Sequence, residues 1–143
     1  MFRPSPFSWV AAMREFITPA DAREQMRIDS DADDRWLAIW IPAVSESVAA
    51  WLKQEWRLYV LQRDSDGELI RDSAGRPVPA EDSGGEPILH PSVIAATLLE
   101  LSSQYRFREG EGDNVVPSDA GHGYVLSKAA TAQLAPLRRT TVV

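Results

Sequence analysis

The 143-residue sequence contains no cysteine, which excludes disulfides, thiolate nucleophiles and thiolate-bound metals and fits a reducing compartment. It also lacks any surplus of basic residues, with 15 Lys and Arg against 21 Asp and Glu and a net charge of −6. A chain of that sign does not grip nucleic acid over its whole surface. One local basic spot, or a passage through which DNA slides, remains compatible with it. No apolar run approaches the roughly 20 residues that span a bilayer. Pro4 and Pro6 interrupt the short apolar patch near Met1, so no signal peptide is expected. Gly121-His122-Gly123 lacks the lysine and the preceding strand of a phosphate loop. What is present is ordinary: 44% hydrophobic and 25% charged residues, enough for one domain with a real core.

That core is expected along the stretch from Asp31 to Trp56. On a helical wheel turning about 100° per residue with Leu37 at its origin, Ile41, Val44, Val48, Trp51 and Leu52 share one apolar sector. Arg35, Pro42, Ser45, Glu46, Ala49 and Lys53 gather on the far side, and Trp36 and Trp40 stand one above the other on a flank. Ser30 or Asp31 is the expected N-cap, with Asp33 and Asp34 placing negative charge in the first turn. Pro42 deletes one backbone hydrogen bond and predicts a kink in a single bent helix.

Around that helix the chain reads as follows. Residues Met1 to Phe16 form an arm whose Phe2, Phe7 and Trp9 either pin it to its own domain or reach a neighbouring subunit. Thr18-Pro19-Ala20-Asp21 starts a short helix ending near Met26. Arg57 to Gln62 alternates weakly as a strand does, and Asp66-Gly67 and Ala74-Gly75 mark tight turns, followed by a polar, mobile loop through Ser83-Gly84-Gly85. Asp64-x-Asp66-Gly67 resembles part of a calcium loop but lacks its remaining acidic ligands; turn chemistry explains it equally well. His90-Pro91 opens a third helix running to about Arg108, with Ile94, Leu98, Leu101 and Tyr105 as its packing stripe. Glu109 to Gly123 is an acidic, glycine-studded loop, and Ser127 to Ala135 a last short helix that Pro136 stops. The fold class expected is mainly α: a small helical bundle around one long central helix, with a β-hairpin-like insertion between the second and third main helices. The expected divisions are an arm over 1–16 and a helical domain over 17–143, with the insertion at 57–87 and a tail at 136–143.

Ile17 to Asp29, with Thr18-Pro19-Ala20-Asp21 leading into Arg27-Ile28-Asp29, resembles the opening of the head–tail connector proteins of tailed bacteriophages. Asp33-Asp34, Leu37, Ile41, Ala43 and Val48 to Leu52 are similar to that family's long helix. His90-Pro91, Ala95-Ala96, Leu98-Leu99, Tyr105 and Arg108-Glu109 are similar to its later helix, and Leu134-Ala135-Pro136-Leu137-Arg138 to its closing segment. The matches run in order over about two-thirds of the chain. Met1 to Phe16 and Leu61 to Glu86 depart from the compact members.

The resemblance implies a non-enzymatic structural subunit without cofactor or metal. It would assemble in the host cytoplasm, commonly as a dodecameric ring, and sit in the virion neck beneath the portal protein. There it would extend the channel for packaged DNA and meet the next neck or tail-completion protein, with no membrane partner. Acidic character suits such a conduit, since like charge prevents tight binding of the passing phosphates. A closed ring needs a heterologous contact. Trp36, Trp40 and Trp51 are the candidate subunit interface, because lone monomers seldom expose such apolar area and aromatics carry much interface energy; the alternative is that they close the monomer core, Trp51 above all. The apolar and basic tail reads equally as a frayed terminus or as a segment that docks into a partner; by family analogy it supplies portal docking through Leu134, Leu137, Arg138, Arg139 and Val142.

Two other readings compete. One is a small cytoplasmic helical adaptor binding a peptide or partner helix beside Trp36 and Trp40. The other is a cation-dependent hydrolase using Glu109, Glu111, Asp113, Asp119 and His122, which lack the fixed spacing of such sites. His90 has no evident partner to make it a base.

Overall fold

Thr18 sets the first helix. Its hydroxyl accepts the Asp21 N–H at 3.1 Å while the Asp21 carboxylate accepts the Thr18 N–H at 3.1 Å, a complete capping box with Pro19 just inside. The computed structural model, which describes residues 14–106 and 126–138, runs this helix (α1) over Pro19–Met26. The arm through residue 13, the 109–123 loop, and the tail positions Arg139 and Val142 lie outside the described residues.

The long helix, α2, spans Asp34–Leu52 without interruption at Pro42. Its N-cap is Asp33, in place of the expected Ser30 or Asp31. The Asp33 side chain makes no cap bond; its carboxylate accepts the Tyr105 hydroxyl at 2.7 Å. Leu37, Ile41, Val44, Val48 and Leu52 are fully buried, as the wheel requires. The far side departs from expectation, because Pro42 and Ser45 are buried too. The chain before α1 covers them: Phe16 and Ile17 belong to the core, and the Ser45 hydroxyl accepts the Phe16 N–H at 3.1 Å while donating to the Ile41 carbonyl at 2.7 Å. α2 also stops before Trp56. Lys53 takes a φ of 71°, and Arg57 in the following 3-10 turn (Glu55–Leu58) donates to the Leu52 carbonyl at 2.7 Å, satisfying an end that would otherwise be orphaned.

The expected β-hairpin-like insertion is not found; among the described residues no strand forms, only isolated bridges between residues 59 and 89. Three turns of one construction replace it. Asp64, Asp72 and Asp82 each accept the N–H groups two and four residues onward at 2.8–3.1 Å, and Gly67, Gly75 and Gly85 take φ of 82°, 79° and 79°. The third turn is the Ser83-Gly84-Gly85 stretch, read from sequence as mobile loop. Between the turns the backbone closes two hydrogen-bonded triangles. Gln62 donates to Val78, Val78 to Ile70 and Ile70 to Gln62; Val60 donates to Ile88, Ile88 to Ala80 and Ala80 to Val60, all at 2.7–3.1 Å. Three limbs diverging from these triangles cannot stay paired, and Pro77, Pro79 and Pro87 have no N–H with which to extend a ladder.

α3 (Pro91–Arg106) and α4 (Lys128–Arg138) make the most extensive helix pair. The stripe on α3 is turned from the expected one. Val93, Ala96, Thr97, Glu100 and Leu101 are buried, whereas Ile94, Leu98 and Tyr105 are half-buried. Ala96 and Ala130 are both fully buried and join Val93, Leu101 and Leu134 in the shared core. Glu100 accepts the Ser127 N–H at 2.8 Å, and the Ser127 hydroxyl caps α4 through Ala130 N–H at 3.2 Å. Pro136 does not stop α4, which continues to Arg138. The missing N–H costs one hydrogen bond in the last turn, and Leu137 packs against the core. Among the described residues no helix is long and apolar enough to cross a membrane.

Candidate functional site

Trp36 and Trp40 are neighbours across one helical turn, so their rings can meet on the flank of α2. They stack with centroids 5.6 Å apart and 21° between planes, and Tyr105 of α3 meets Trp36 edge-on at 5.3 Å and 80°. Such pairs contribute about 0.5–1.5 kcal/mol each beyond burial. The Tyr105–Asp33 hydrogen bond fixes the outer end of the cluster. All three rings are half-buried, and Ile39, three residues beyond Trp36, is 59% exposed. Among the described residues this is an apolar patch whose indoles pack on the core while Ile39 faces outward beside them.

A second aromatic contact lies farther along α2. The Arg138 guanidinium sits 4.8 Å from the Trp51 ring centroid, a cation–π pair joining the end of α4 to the end of α2. Trp51, like Trp36 and Trp40, is half-buried and packs against the core, so all three indoles have intramolecular partners.

Arg14 bridges Glu55 at 2.8 Å and Glu46 at 3.6 Å, and the Tyr59 hydroxyl donates to Glu55 at 3.1 Å. Burial works against the Arg14 charge, but the bond to Glu55 and the field of both glutamates outweigh it, leaving its pKa above the ordinary value. Burial, reinforced by the negative charge and hydrogen bond of Glu55, raises the Tyr59 phenol.

The structure thus brings Trp36 to Trp40, and Trp51 to Arg138. It separates Leu134, which is fully buried in the core, from half-buried Leu137 and exposed Arg138. Arg139 and Val142 lie outside the described residues. Ile39 and Tyr105 were missed as members of the patch. Ile39 had a signal, its i+3 spacing from Trp36; Tyr105 had none, since its place depends on how α3 rotates. The Asp-Ser-x-Gly recurrence at Asp64, Asp72 and Asp82 is a further signal that the sequence carries. Among the described residues no three His, Asp or Glu side chains could hold a metal ion, and the carboxylates of Glu109 to Asp119 with His122 fall outside them. No protein-family model matches the chain, and neither a curated protein nor a solved structure matches it.

Proposed function

We propose that this chain is a structural head–tail connector subunit of a tailed phage, without catalytic activity, that forms a ring beneath the portal protein, extends the DNA channel and receives the next neck or tail-completion protein. On this reading it works in the virion neck after assembly in the host cytoplasm. The ordered resemblance of its helices to that family supports the reading. The observation that carries it is the Trp36–Ile39–Trp40–Tyr105 patch. A chain whose core already holds Leu37, Ile41, Val44, Val48 and Leu52 leaves two indoles half-exposed and an isoleucine outward beside them. A neighbouring subunit is the simplest cover for such a patch. Ring closure requires that cover to come from a different face of the next copy.

Docking on the portal falls to the end of α4, through Leu137 and Arg138. Leu134 supports that end from within the core. DNA passes without sequence-specific contact. Electron microscopy of the chain mixed with its phage's portal protein tests the proposal. Ring-on-ring particles are expected; bare portal rings, or a monomer that binds short helical peptides and never assembles, would overturn it in favour of an adaptor.

A further inference from the structure

We propose that the outer edge of residues Tyr59 to Arg63, together with the pocket at its foot, receives an extended acidic peptide from a protein partner as an added strand. The pocket, about 290 Å³, opens between the base of the three-turn insertion and the end of α4. Trp56, Tyr59, Leu61 and Leu137 give it apolar walls, and Arg57, Arg63 and His90 give it hydrogen-bond donors. Among the described residues no Asp or Glu lines it, on a chain whose net charge is −6.

Its arginines have capacity to spare. One terminal nitrogen of Arg57 donates to the Leu52 carbonyl and the guanidinium lies 5.3 Å from the Trp56 ring centroid; its Nε is buried out of a ligand's reach, and the second terminal nitrogen is what it can offer a carboxylate. Arg63 donates one bond, to the Gly67 carbonyl, and among the described residues neither arginine is paired with a carboxylate. His90 accepts the Ser92 N–H on Nδ1, so when neutral its proton is on Nε2 and it can donate.

The backbone supplies the second, independent observation. Val60 and Gln62 commit their N–H and C=O groups to the triangles, so by strand alternation those of Leu61 point the other way. Among the described residues, no hydrogen bond occupies the N–H or C=O of Leu61. Pro77, Pro79 and Pro87 blunt other limbs of the insertion against strand addition, and the Tyr59-to-Arg63 limb carries no proline. An extended peptide laid on this edge pairs with Leu61. It drops one bulky side chain into the pocket and offers its alternate carboxylates to Arg57 and Arg63. A nucleic-acid backbone is disfavoured, because it carries no N–H to pair with the Leu61 carbonyl in strand register.

The test is fluorescence anisotropy with a labelled short peptide alternating Glu with Leu or Val. Saturable, salt-weakened binding is expected, with no binding when Lys replaces Glu. Arg63→Glu, its fold checked by circular dichroism, should weaken binding about tenfold, the scale of one lost charge-assisted pair. Methylating alternate peptide amides on the pairing edge should weaken it at least as much and leaves the protein untouched. The proposal fails if the wild-type chain shows no saturable binding, if both changes leave affinity intact, or if random duplex DNA binds more tightly. A Trp36→Ser, Trp40→Ser variant should bind the peptide normally, which separates this outcome from the fate of the ring proposal.

Discussion

Ser45 shows what one side chain decides. Its hydroxyl is the acceptor for a buried backbone N–H 29 residues away, so Ser45→Ala should strand that donor and destabilise the fold by about 1–3 kcal/mol in urea titration. A loss indistinguishable from that of an exposed site such as Ser65→Ala would contradict the assignment. Tyr59 makes a prediction in pH. Its folded pKa is raised, so the folded state holds the proton more tightly than the unfolded chain, whose phenol titrates near about 10. The stabilisation is fully present below that value and is lost as pH rises through the folded pKa. Alkaline absorbance titration should therefore show a late-ionising phenol that Tyr59→Phe removes. The buried apolar positions of α2 were legible because period and burial coincide there. Ser45 was not, because a wheel of one helix cannot show that Phe16 returns to cover its polar side.

Among the elements, α1 was the most legible, since Thr18, Pro19 and Asp21 act within one turn of themselves. Thr18→Ala should lower stability by about 1 kcal/mol, measured by thermal or urea unfolding. The insertion was half legible. Each Asp-Ser-x-Gly turn is a local device, but the two backbone triangles join residues far apart in sequence, and no pattern of hydrophobicity records them. Gly75→Ala meets no atom within 4 Å yet must hold a φ of 79°, so its cost is purely conformational, about 1–2 kcal/mol. If instead it unfolds the α-helical signal as a whole, the insertion is coupled to the core more tightly than the bonding described here implies. The end of α4 was misread for a related reason. A proline in the last turn removes one hydrogen bond, and the packing of Leu137, invisible locally, keeps the turn helical.

At the scale of the whole molecule, the described helices close a core and leave an aromatic edge open. The edge was partly legible: Trp36 and Trp40 announce it, while Tyr105 joins through the rotation of α3 that buries Val93, Ala96, Thr97, Glu100 and Leu101. Leu134→Ala should cost about 2–5 kcal/mol, because that residue fills the core. Arg138→Ala should leave folding nearly unchanged while weakening attachment to the portal. The central claim is that Trp36 and Trp40 bind the next copy of the chain. Mass measurement of the portal-bound assembly tests it directly. The wild-type chain should add a whole-number multiple of 15.9 kDa consistent with a closed ring, and Trp36→Ser with Trp40→Ser should keep its helical spectrum and add none. A double variant that still completes the ring would contradict the account.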